Sequence, residues 1–247
     1  SFNRVRYHLH SMSEQEHREL VAQTNRMLYM TGLADYSGHV SHRHPDGDRA
    51  YINSYLETRG EIRPEDVVEI TFDNEPVDPD MPRPPSESEI HTSIYREIDE
   101  AGAVLHVHPP YTTMFSISGT DLQPVHIRGS VLSEGPIPVF DCPYHVTTEE
   151  LSDGMLDAMG DSKQVLLRGH GAVVYDETIQ RAFARAMYLE LNAYFQHGAS
   201  VLGNPNPMTS EEVQRVYDHN WQERVVHKFW RYYAWKATEE GYLPEEW

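Results

Sequence analysis

Residues 86–110 read S-E-S-E-I-H-T-S-I-Y-R-E-I-D-E-A-G-A-V-L-H-V-H-P-P. The second half is an apolar, β-branched run carrying His106 and His108 two positions apart. In a strand, residues i and i+2 point to the same face, so both imidazoles project to one side, as two ligands of one cation need. Pro109 and Pro110 stop the strand at once, because proline cannot donate to a ladder. The pair therefore sits at a strand end, where a site can open to solvent. In the first half, Ile90, His91, Ile94, Tyr95 and Ile98 recur at helical spacing and predict a helix from Glu87 to Ala101.

About sixty residues on, Gln164–Arg168 forms a short apolar strand, and Gly169 and Gly171 flank His170 so that backbone can pass close to a bound group. Three neutral imidazoles suit Zn, Fe, Mn or Co and leave coordination positions open, the pattern of a catalytic metal site. Glu87 is the natural carboxylate to complete that site or to work beside it as a base. An H-x-H pair alone fits strand histidines satisfied by hydrogen bonds equally well. S-E-x-x-x-H ahead of it and R-G-H-G behind it favour the metal.

Four motifs in one order resemble the class II aldolase/adducin family: G-H-V-S-x-R at 38–43, P-S-E-x-x-x-H at 85–91, H-V-H-P-P at 106–110 and L-R-G-H-G at 167–171. The resemblance spans about residues 15–203. It implies an α/β fold, a three-layer α/β/α sandwich around a mainly antiparallel sheet, and assembly as a homotetramer. It also implies that the metal-binding histidines fall on His106, His108 and His170, and the catalytic acid/base glutamate on Glu87. One divalent cation is expected as cofactor, with Zn favoured over Fe, Mn or Co. Residues 1–203 are read as the family domain, and 204–247 as a C-terminal helical extension of the same domain.

The substrate end departs from the sugar-phosphate members. Their G-N-x-S loop has His39 in place of asparagine, followed by Ser41 and Arg43; where they carry a serine-glycine pair after the next strand this chain has Tyr51-Ile52-Asn53-Ser54-Tyr55-Leu56, with no glycine until Gly60; their double serine is Pro85-Ser86. The pattern resembles the decarboxylase-like branch, which acts on hydroxylated aromatic carboxylates. His39, Ser41, Arg43, Ser86 and Arg168 are the candidate substrate contacts. Arg43 or Arg168 would pair with a second carboxylate as a bidentate fork, and a purely structural role for each stays open. Alternatives are an aldolase of a hydroxy-oxo-acid, an Fe(II)- and O₂-dependent oxygenase like the prenylated hydroxybenzoate synthase, and an adducin-like binding module without chemistry. The last is disfavoured because all three histidines are present.

Composition narrows the partners. Over 247 residues, 39 acidic and 20 basic side chains give a formal charge of −19, which argues against nucleic acid and anionic membranes as partners; it does not forbid the small-molecule carboxylate substrate that the resemblance implies. Cys142 is the single cysteine, so no internal disulfide forms, and its neighbours Asp141 and Pro143 do nothing to activate the thiol. With no apolar span near twenty residues and no secretory leader visible, a cytoplasmic location is expected.

The remaining elements follow from caps and breakers. Ser13 with Glu16 makes a capping box for a helix 13–31, and Thr148 and Thr178 cap helices over 149–159 and 179–201. Strands are expected over 67–72, 125–131 and 137–139, and a short helix over 111–118. Glu89, two positions from Glu87 on one helix, is expected on the surface. All four tryptophans, Trp221, Trp230, Trp235 and Trp247, fall after a break at 204–207. Val225, Phe229 and Tyr232 are read as continuing the face of Trp221, as core or oligomer contact.

Overall fold

A computed structural model describes residues 12–246. Its centre is a seven-stranded sheet among the described residues: β1 (His39–Arg43), β2 (Arg49–Asn53), β3 (Val67–Thr71), β4 (Ala103–Val107), β5 (Val139–Phe140), β6 (Gln164–Leu167) and β7 (Gly171–Asp176), in the order β3-β2-β1-β4-β7-β6-β5. Every neighbouring pair is antiparallel except β5 with β6. The strand bearing His106 is thus central, with β1 on one side and β7 on the other. It is buried along its whole length, as a strand made of A-V-L-H-V must be.

Helices cover both faces. Val104, Val165, Val173 and Ile52 pack against Ile90, Ile94 and Tyr95 of α2 (Glu89–Glu97) and Met155 and Met159 of α4 (Glu149–Met159). Leu105, Val107, Val174 and Tyr51 face α1 (Glu14–Met30), α3 (Pro110–Ser118) and α5 (Ile179–Leu202). The alternation of Val104 and Leu105 between two cores assigns faces, and it puts His106 on the α2 side. The expected three-layer sandwich is the one observed.

Sequence signals fix where these helices start. Ser13 and Glu16 close a capping box, the Ser13 N–H donating to Glu16 Oε2 at 2.6 Å. Thr148 and Thr178 accept from the Leu151 and Arg181 N–H groups. α3 opens on Pro110, and Glu190 of α5 accepts the N–H groups of Tyr111 and Thr112 at 2.9 Å each, satisfying two orphan donors of its first turn.

Three expectations need correction. The helix expected over 87–101 runs only from Glu89 to Glu97, because Ile98 takes an extended conformation, and Glu87 lies in the preceding turn. The strand expected over 125–131 is a 3₁₀ segment, Ile127–Val131; Asn192 Oδ1 captures the N–H groups of Val125 and His126, so they cannot join a ladder. Only Val139–Phe140 of the following apolar piece pairs. β7 has no counterpart among the sequence expectations.

The tail adds α6 (Ser210–Asn220) and α7 (Glu223–Glu239). Trp221 caps the end of α6, so the break before α7 resets the helical phase. The buried stripe is therefore Val226, Trp230 and Ala237, whereas Tyr232 is exposed. Trp230 meets the Phe183 ring of α5 at 5.6 Å, and Trp221 lies 6.1 Å from Tyr188. Trp247 lies outside the described residues.

Candidate metal centre

Three imidazoles converge where β4 ends. His106 Nε2 lies 3.1 Å from His108 Nε2 and 3.3 Å from His170 Nε2. Nitrogens bound to one tetrahedral cation at about 2.0–2.1 Å stand about 3.3 Å apart, so this spacing fits a shared ion. His106 Nδ1 lies 3.2 Å from the Ala172 carbonyl, an oxygen that can only accept. Its proton therefore sits on Nδ1, and the Nε2 lone pair faces the cluster. His108 Nδ1 has Ser37 Oγ at 3.3 Å and Asp35 at 3.9 Å behind it. Burial holds the imidazoles of His106, His108 and His170 below their usual range, with neighbouring imidazoles adding to the effect at His106 and His108. Neutral rings are what a cation requires.

The R-G-H-G turn makes this approach possible. Gly169 has φ +69°, the left-handed region that glycine enters freely, and a Cβ on Gly171 would stand 2.2 Å from the Val107 carbonyl oxygen. β7 can therefore lie against β4 and bring His170 to the pair only with glycine there.

Glu87 joins the same group. Its Oε2 lies 3.9 Å from His106 Nε2 and 3.7 Å from His170 Nε2, while Oε1 accepts the Val146 N–H at 2.9 Å. The carboxylate is 5 % exposed. Sequence reading missed His145. This exposed ring on the loop before α4 sits 3.2 Å from Glu87 Oε2 and packs edge-on against His170. The potential ligand atoms of Glu87, His145 and His170 lie within 4.8 Å of one another, as do those of His39, Glu87 and His106. Nothing in P-Y-H-V marks His145 as belonging here, because only the chain path of the loop brings it.

The substrate candidates divide. His39 pairs with His106 across β1 and β4, its ring 4.8 Å from that of His106, and it bonds His91 Nε2 at 2.9 Å. Ser41 lies one layer deeper, with His91 Nδ1 at 2.6 Å and the Tyr95 hydroxyl at 2.8 Å. His91 is thus tied to His39 and Ser41; burial lowers its pKa to about 3. Arg43 is turned away, its guanidinium donating to the carbonyls of Ala101, Tyr95 and Ile98 and stacked on Phe72 and Tyr95. Arg168 is half-exposed and ion-paired with Asp141. Ser86 is exposed beside Glu87.

Glu89 is a correction. It is buried rather than on the surface, ion-paired with Arg96 and within 3.4 Å of the Ser152 hydroxyl. It does point away from the imidazoles, as its helical phase requires.

A model of the class II aldolase and adducin N-terminal domain matches residues 19–197; the chain belongs to that family. It is 29% identical over 205 residues to a 5-deoxy-D-ribulose 1-phosphate aldolase of Bacillus thuringiensis serovar kurstaki, covering 82% of this chain and 94% of that one. It is 30% identical over 184 residues to a 3,4-dihydroxyphthalate decarboxylase of Arthrobacter keyseri, covering 70% of this chain and 74% of the relative. An aldolase II superfamily protein from Pseudomonas syringae superposes with a TM-score of 0.81 at 20% identity, over 94% of this chain and 96% of that structure. The first two relatives are carbon–carbon lyases, and the third shares the fold. None of the helices among the described residues is long and apolar enough to cross a membrane.

Proposed function

We propose that this protein is a metal-dependent carbon–carbon lyase, and specifically a decarboxylase of a non-phosphorylated, hydroxylated aromatic carboxylate. The observation that carries the reading is the convergence of His106, His108 and His170 Nε2 with Glu87 Oε2 at one strand end. These residues fit one divalent cation, Zn by preference, with Fe, Mn or Co as alternatives. When bound, such an ion supplies Lewis-acid stabilisation of the negative charge that develops as a carbon–carbon bond breaks.

The protein's own residues handle the proton. As carbon dioxide leaves, the bonding pair stays on the ring carbon, and Glu87 delivers a proton to that carbon from Oε2. Its other oxygen is held by the Val146 N–H, which fixes the carboxylate's orientation. His145, exposed and 3.2 Å from Oε2, links Glu87 to solvent for reprotonation. His39 lines the substrate side, and Ser41, fully buried behind it, is coupled to it through His91.

The choice of carboxylate over phosphate is supported by the loop after β2. A phosphate cradle needs free backbone N–H groups, but Ser54 N–H donates to the Asp66 carbonyl and Tyr55 N–H to the Arg83 carbonyl, each at 2.9 Å. Retro-aldol cleavage of a ketose phosphate is the second reading, favoured by the extent of similarity to the Bacillus aldolase. The test is a screen of protein reconstituted with each metal against catechol carboxylates, hydroxy-oxo-acids and ketose phosphates, with and without oxygen. Chelator-sensitive carbon dioxide release from a catechol carboxylate without oxygen is expected. Cleavage of a ketose phosphate alone would reject the decarboxylase reading.

A further inference from the structure

Ser54 and Arg59 are two buried polar side chains that the proposed chemistry leaves unused. Arg59 is 2 % exposed and Ser54 fully buried. Among the described residues, Ser54 Oγ and the Nε and Nη1 groups of Arg59 have no hydrogen-bond partner. Only Nη2 is engaged, on the carbonyls of Ser54 and Glu57. No carboxylate of the described residues comes within ion-pair distance of this guanidinium. Burial pulls its pKa down to about 10, so it stays charged at neutral pH. A buried cation with open donors is costly unless something anionic completes it.

Its place in the fold says what that is. β1 and β2 pair Ser41 with Ile52, and the Val40 N–H donates to Asn53 Oδ1 at 2.8 Å. Ser54 is the next residue after Asn53, and His39 the one before Val40; His39 itself pairs with His106. The Ser54 end of β2 therefore lies beside the end of β4 that carries the imidazoles.

We propose that Ser54 and Arg59 form an anion subsite for a second carboxylate of the substrate, held apart from the metal-chelating end by His39 and the width of an aromatic ring. The substrate is then a dicarboxylate. A carboxylate fits better than a phosphate because the neighbouring backbone N–H groups are spent on Asp66 and Arg83. The proposal rests on the reading of the triad as a site for a carboxylate substrate, and it replaces Arg43 and Arg168 as the source of the second positive contact.

Calorimetric titration tests it, using zinc-loaded protein with terephthalate as the dianionic probe, benzoate as the monoanionic control, and inorganic phosphate. Terephthalate should bind at least ten times more tightly than benzoate. Arg59→Met should erase that ratio without changing metal content or benzoate affinity, and Ser54→Ala should reduce it. Arg59→Lys, which keeps the charge, should retain part of it and serves if the methionine variant folds poorly. An unchanged ratio in folded Arg59 variants overturns the subsite. Phosphate binding that depends on Arg59 and exceeds that of terephthalate overturns its assignment to a carboxylate. Arg59-dependent terephthalate binding in a protein that decarboxylates no catechol carboxylate supports the subsite and removes only the reaction proposed for it.

Discussion

At the scale of single residues, Glu87 and Glu89 separate chemistry from support. They lie two apart, both buried, yet one faces the imidazoles and the other Arg96. Glu87→Gln keeps the shape and removes the proton-carrying group, so kcat should fall by a factor of about 10²–10⁴ while the fold persists. Glu89→Gln weakens a charged pair and should cost about 1.5–3 kcal/mol of stability, with little change in kcat for the folded fraction. Rates and denaturation curves for the two variants check this; equal kcat losses would refute the division of roles. That the H-x-H pair, His170 and Glu87 come together was legible because strand parity and motif order carry it. His145 was not, since no local pattern tells that a loop residue closes on a carboxylate 58 positions away. Glu89 was misjudged because its phase excluded the imidazoles but did not disclose a second buried partner.

At the scale of elements, capping chemistry read well: Ser13, Thr148 and Thr178 each begin a helix where expected. Apolar runs read less well, because tertiary hydrogen bonds decide their fate. Asn192 turns 125–131 from strand into 3₁₀ segment, and β7 was hidden behind the glycine of R-G-H-G. In the tail, the break at Trp221 shifted the buried stripe of α7 onto Trp230. Trp230, 8 % exposed against Phe183, and Trp235, 59 % exposed, therefore differ in what they hold. Trp230→Ala should cost about 3–5 kcal/mol, lowering Tm by roughly 10 °C at about 2–4 °C per kcal/mol. Trp235→Ala should shift the stability of the subunit by less than about 1 kcal/mol. Thermal melts of both variants test the assignment, and equal shifts would contradict it. We propose on the same grounds that residues 204–247 are an extension of the one domain, since Trp221 and Trp230 pack against Tyr188 and Phe183 of α5.

At the scale of the whole molecule, buried histidines tie stability to pH. Burial holds His42 near a pKa of about 3, with His17 and His44 adding to the effect. Its unfolded value is about 6.5, so between these values the unfolded chain binds the extra proton. Stability is then full above about pH 6.5 and is lost as pH falls toward 3, by up to about 1.4 kcal/mol per pH unit for this group. Denaturation at pH 6.5 and 4.5 should show the loss, and His42→Gln should reduce it by that one group's share; an unchanged slope in that variant would show that His42 does not contribute. We propose in addition that the protein is a homotetramer, which light scattering at assay concentration tests, a fully active monomer being the contrary result. The most direct measurement is the metal content of purified wild-type protein and of a folded His106→Ala variant. One divalent ion per chain in the former and none in the latter is expected, and full metal content in folded His106→Ala would contradict the assignment of this centre.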